Sequence, residues 1–152
     1  MKPLHSLVGV VAALLMAGVV SAKDGVAVTL PDKRVAVLSV GDVEPASIGS
    51  YSVAIFKDRS LMDFAAGAIF PRNGSLFQDN GAPRVKFADI NGDGIKEMIV
   101  SLLTAGSGNY MQVDALRIDS RSILLLTRIQ TEARHDAVTE LKAACKRGKC
   151  SD

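Results

Sequence analysis

Neither charge sign dominates this chain of 152 residues: 18 lysines and arginines stand against 16 aspartates and glutamates. That balance argues against a nucleic-acid partner, which usually demands a basic stripe, and no Lys/Arg cluster is interleaved with aromatics anywhere. Histidine is almost missing. His5 falls in the apolar amino-terminal segment, which leaves His135, set between Arg134 and Asp136 in a charged stretch that reads as a solvated helix position. The nucleophile elbow G-x-S-x-G is absent, because the positions two away from Ser107 are Ala105 and Asn109. A phosphate-cradling G-x-x-x-x-G-K-[ST] loop is missing too. A carboxylate pair for glycoside hydrolysis would meet only in the fold and stays open, yet no nucleophile and base constellation supports a hydrolase.

The apolar run at 7–20 contains glycines and falls short of the roughly 20 residues that a membrane span needs. Preceded by Lys2 and followed by Val20-Ser21-Ala22, it reads as a secretory signal peptide over residues 1–22, cleaved after Ala22. No cysteine follows for a lipid anchor, so a soluble product without membrane attachment is expected. Removal of Lys2 leaves 17 basic against 16 acidic residues. Residues 23–152 are about the size of one domain. Both cysteines, Cys145 and Cys150, lie near the carboxyl terminus, and outside the cytoplasm a structural disulfide is the simplest expectation. Their spacing is not C-x-x-C, and no histidine lies within the segment to complete a zinc site.

Strand patterning recurs along the mature chain. Val85 and Phe87 alternate with Arg84 and Lys86, which puts one face of a strand in the core. Similar segments lie at 25–30, 34–40, 51–57, 64–70, 95–103, 111–118 and 122–128, rich in Val, Ile and Leu. Pro31-Asp32, Lys57-Asp58, Asn73-Gly74, Asn80-Gly81, the Asn91 to Gly94 run and Asp119-Ser120 supply turn chemistry, and such turns favour antiparallel hairpins. A mainly β fold is predicted: an antiparallel β-sandwich, or a partly closed barrel, with a C-terminal helix. Residues 41–50 form the longest stretch without periodicity. The helix is expected over 132–145, with Ala137, Leu141 and Ala144 on its inner side and Gly148 helping to close it.

Two loops carry chemistry. In the first, Asp89, Asn91, Asp93 and Glu97 occupy positions one, three, five and nine, the spacing of calcium loops. Val100 stands where an EF-hand needs its glutamate, and a strand follows, so the motif is not an EF-hand; it is closer to the calcium turns between propeller strands. The alternative is an Asx-rich hairpin that caps its own backbone. The second is Gly106-Ser107-Gly108-Asn109-Tyr110, between two strands. Its glycines admit close approach to another surface, and its tyrosine suits a protein interface.

Ser107-Gly108-Asn109-Tyr110 matches, position for position, the Ser-Gly-x-Tyr loop of the periplasmic inhibitors of I-type (invertebrate-type) lysozyme. The upstream Ala88 to Gly94 run with Glu97, the hydrophobic strand after it and Ala105-Gly106 are similar as well. The chain resembles that family over 51–128 in the order of its features. The resemblance implies a periplasmic protein that is not an enzyme, whose partner is an I-type lysozyme and whose loop enters the substrate cleft, with the Ser107 and Tyr110 hydroxyls near the catalytic carboxylates. It also implies a homodimer. A lysozyme of another type, or a calcium-binding adhesive module with no lysozyme partner, remains the alternative reading.

Overall fold

The computed structural model describes residues 25–41, 48–71, 76–104 and 109–150. The signal segment, the Asn73-Gly74 turn, most of the aperiodic 41–50 stretch and Gly106, Ser107 and Gly108 lie outside them. Eight strands appear in two antiparallel meanders. The first sheet orders β1 (Val26–Thr29), β2 (Val35–Gly41), β3 (Ile48–Lys57) and β4 (Ser60–Pro71). The second orders β5 (Val85–Ala88), β6 (Glu97–Leu103), β7 (Tyr110–Ile118) and β8 (Ile123–Glu132). The sheets remain separate, so the sandwich holds and the barrel alternative gives way.

Side-chain alternation explains the layering. Ala36, Leu38, Val53 and Ile55 of the first sheet meet Met98, Val100, Leu102 and Leu116 of the second in one core. On the other face of the second sheet, Ile99, Met111, Val113 and Ala115 meet Ala137 and Leu141 of the helix. β6 is therefore covered on both sides, which is why its sequence is a near-continuous apolar run. Leu61 and Phe64 on β4 and Leu124 and Leu125 on β8 stay exposed beside the place where those two strands approach.

The helix, α1 (Ala137–Lys146), starts later than the sequence pattern suggests. Glu132 is still in β8, paired with Tyr110, and His135 sits in the turn that follows rather than on the helix. Asp136 supplies the start: its carboxylate accepts from the Thr139 amide at 3.0 Å and is met by Lys86 Nζ at 2.8 Å. At the other end Gly148, at φ 73, takes the left-handed conformation, and its amide donates to the Cys145 carbonyl. Cys145 and Cys150 are joined there by a disulfide.

The sandwich is tied by a polar group at its centre. Asp114 on β7 is fully buried and faces the first sheet. Tyr51 Oη donates to its Oδ2 at 2.6 Å, and Arg128 on β8 donates to both oxygens at 2.7 and 3.0 Å. Burial, then the Asp114 charge, push the Tyr51 phenol well above its ordinary value, so it remains a donor throughout the working pH range. Two peripheral ties add to this one: Arg34 Nη2 donates to the Ile118 carbonyl at 3.1 Å, and the Ile123 amide donates to Asp63 Oδ2 at 2.7 Å.

Substitutions at these contacts should register as changes in stability. Tyr51→Phe should lower the unfolding free energy by about 1 kcal/mol. Arg128→Met should lower it by about 3 kcal/mol because it leaves a buried carboxylate without its counter-charge. Urea titrations of both variants read these differences, and an Arg128→Met midpoint equal to wild type would contradict the account. Asp136 gives a pH signature. The Lys86 ammonium and the Thr139 amide lower its pKa from 3.8 to about 2. The folded value lies below the unfolded one, so its contribution is complete above about pH 4 and vanishes as the pH falls toward 2. Asp136→Ala should therefore destabilise by about 1 kcal/mol at neutral pH and by progressively less in acid. Thermal melts across that range measure it.

Candidate functional site

The glycine loop joins β6 to β7, and its base is clamped. The Thr104 amide and hydroxyl both donate to the Tyr110 carbonyl at 2.9 Å. The Asn109 carbonyl accepts from the Ala133 amide at 2.7 Å, which ties the loop exit to the segment after β8. Asn109 is at φ 47, a left-handed conformation that asparagine tolerates better than most residues with a Cβ. Tyr110 is the first residue of β7, on the face opposite buried Met111, and 47% of its surface is exposed. A large amphipathic side chain thus stands in solvent at the head of a paired strand.

The acidic turn lies at the opposite end of β6, about 20 Å away by the rise of a strand. It and the glycine loop do not form one site. Asp89 Oδ1 and Oδ2 accept from the amides of Gly92 and Gly94 at 2.7 and 3.0 Å, which lowers its pKa below the ordinary carboxylate range. Asp93 Oδ1 accepts from the Ile95 amide at 2.8 Å, and Asn91 Nδ2 donates to Asp93 Oδ2 at 3.0 Å. Fully buried Glu97 accepts from the Ile90 amide at 3.1 Å and from Arg117 at 3.1 Å, and Arg117 also meets Asp93. The turn thus holds its own backbone and a guanidinium, and among the described residues no group of three or more His, Cys, Asp or Glu side chains converges as a metal site. The disulfide is its neighbour: Asp89, Asn91, Lys142, Cys145 and Cys150 line one open cleft.

Sequence reasoning passed over Arg84. Its carbonyl accepts from the Ser101 amide at 2.9 Å, which places it beside β6 on the side of the glycine loop, and its Nε, like that of Arg117, is buried with no hydrogen-bond partner among the described residues. In the sequence it reads only as a polar position of an alternating strand, and nothing there marks it as unpaired.

The model of the family of periplasmic lysozyme inhibitors of I-type lysozyme matches residues 22–145. A solved structure of such an inhibitor from Aeromonas hydrophila is 32% identical, with a TM-score of 0.58, over 77% of this chain and 98% of that one. The Aeromonas hydrophila inhibitor solved in complex with Meretrix lusoria lysozyme is also 32% identical, with a TM-score of 0.57, over 78% of this chain and 94% of that one. Comparison with curated proteins gives no match. With a family match over most of its length and solved relatives 32% identical to it, this chain belongs to the periplasmic inhibitors of I-type lysozyme, a family of inhibitor proteins and not of enzymes.

Proposed function

We propose that this chain inhibits I-type lysozyme by placing the loop Gly106-Ser107-Gly108-Asn109-Tyr110 in the enzyme's substrate cleft. The observation that carries the reading is Tyr110, half exposed at the head of a rigid strand, with its carbonyl clamped by Thr104 and its neighbour Asn109 held by Ala133. The Aeromonas hydrophila relative, seen bound to Meretrix lusoria lysozyme, supports the choice of partner. A lysozyme cleft holds a carboxyl pair and is shaped for sugar hydroxyls, so a serine and a tyrosine on a narrow loop imitate the polarity of substrate without offering a bond to cleave. Strand pairing at the base limits the conformational freedom lost on binding. The family match opens at residue 22, one residue before the Lys23 terminus that cleavage after Ala22 would leave, and this accords with release into the periplasm.

An inhibition assay with I-type, chicken-type and goose-type lysozymes tests the reading. Inhibition of the I-type enzyme is expected, and Ser107→Ala and Tyr110→Ala should each weaken it by about 1 kcal/mol or more while the melting temperature holds. An I-type enzyme left fully active at micromolar excess of the protein ends the proposal. Calcium has no part in this mechanism, because an ion at the acidic turn would have to displace Arg117 from Asp93 and Glu97. Inhibition should accordingly be the same in chelator as in millimolar calcium, with no binding heat on calorimetric titration; a calcium-dependent rise in either would restore the ion to the account.

A further inference from the structure

Beside the clamped base of the glycine loop lies a second feature that the loop mechanism does not use. A cleft of about 260 Å³ opens on the helix side of the second sheet, floored by Ser101, Leu103 and Met111 and rimmed by Arg84, Lys86 and His135. Ala133, which holds the Asn109 carbonyl, also lines it, and Leu103 directly precedes Thr104 of the clamp. The cleft and the loop base are therefore continuous.

Its charges are unequal in their engagement. Lys86 is matched by Asp136 at 2.8 Å, and His135 Nδ1 lies 3.1 Å from Thr131 Oγ1. The Arg84 side chain has no hydrogen-bond or ion-pair partner among the described residues, and its Nε is out of contact with solvent. A guanidinium donor withdrawn from water without an acceptor is unfavourable for the free protein. Nε itself is closed to a partner, but the Nη groups are not, and an acceptor that arrives with a partner would meet them. Guanidinium geometry selects the ligand: a carboxylate receives two parallel N–H bonds from it, and a charge-assisted pair of that kind is stronger than a neutral hydrogen bond.

Interface size points the same way. A stable protein complex covers about 800 Å² on each partner, more than so short a loop supplies, so surfaces flanking its base must also be covered. We infer that Arg84 is a second anchor for the lysozyme, receiving a carboxylate side chain from the rim of the enzyme's cleft while the loop occupies the cleft itself. The inference rests on the loop reading above. It assigns the 76–84 connection and the start of β5 to the binding edge and makes the complex salt-sensitive at one identifiable residue.

Affinity of the mature protein for I-type lysozyme, measured at roughly 0.05 and 0.5 M ionic strength, tests it. Arg84→Gln should bind about tenfold more weakly than wild type at low salt and lose much of the salt dependence, and Arg84→Glu should bind more weakly still. Arg84→Lys should fall between wild type and Arg84→Gln because it keeps the charge but not the fork. Lys96→Gln, at the far end of β6, should match wild type. The melting temperature of Arg84→Gln should equal or exceed that of wild type, since no side-chain partner in the free protein is lost, whereas a purely structural role predicts a lower one. If Tyr110→Ala impairs binding while Arg84→Gln and Arg84→Glu stay within twofold of wild type and keep its salt dependence, the second anchor is wrong and the loop survives. If the wild-type protein does not bind the lysozyme at all, both readings fall together.

Discussion

A carboxylate with no surface exposure, Asp114, faces the core where the two sheets meet, and the packing of the sandwich has to accommodate it. Left alone there it would be severely destabilising. Arg128 supplies the counter-charge from the neighbouring strand, and Tyr51 supplies a hydrogen from the opposite sheet. Only the second of these crosses the interface, so the phenol is what converts a local ion pair into a constraint between sheets. Apolar packing is non-directional, whereas a 2.6 Å hydrogen bond to a buried charge adds a directional condition on how the two sheets align. Arg34 and Asp63 then fix the periphery, from the end of the β1–β2 turn and from β4.

That alignment matters because β7 carries both the constraint and the proposed anchor, Tyr110. Asp114 and Tyr110 lie on the same strand and the same face, with Gln112 between them and no register shift among the three. Whatever holds Asp114 in place orients the head of β7 as well. The strand is paired on both sides, with β6 and with β8, so Tyr110 inherits the rigidity of a central strand although its own side chain is half exposed. Thr104 and Ala133 extend the support by one step, to the residues where the loop leaves the sheet. The acidic turn plays the corresponding part at the other end of β6, where Glu97 and Arg117 close the sheet and the Asp89 carboxylate folds the turn onto itself.

Most of the strands were legible because a half-buried strand writes its environment into alternate positions, as Val85 and Phe87 do against Arg84 and Lys86. Boundaries were less so. Glu132 and His135 resemble the opening of a helix in charge pattern, but β8 pairing claims Glu132 and the Asp136 cap decides where the helix begins. The β3–β4 hairpin turns at Asp58-Arg59, both at positive φ without a glycine, which no turn signature at Arg59 announces. The glycine loop stands out in the sequence through its glycines and its match to a Ser-Gly-x-Tyr pattern, while the described residues place only its base, Thr104, Asn109 and Tyr110. The Tyr51, Asp114 and Arg128 network was not. Its members are 63 and 14 positions apart, and each by itself is an ordinary polar residue in a strand. Burial of a charge is a property of the fold, and one sequence does not show it.

Arg84 and Asp114 set two uses of buried charge side by side. Asp114 is saturated within the chain, whereas the Arg84 guanidinium has no hydrogen-bond or ion-pair partner among the described residues. The saturated group lies at the centre of the sandwich, where conformational change would be costly, and the unsaturated one at the edge, beside the clamped base of the glycine loop. Satisfaction inside the core makes the scaffold rigid. A donor left open at its edge adds binding energy only when the partner brings the matching carboxylate, so it contributes to discrimination among lysozymes more than to the fold. A rigid β7 is what allows that discrimination, because an anchor at Arg84 and an anchor at Tyr110 select a common partner only if their separation is fixed.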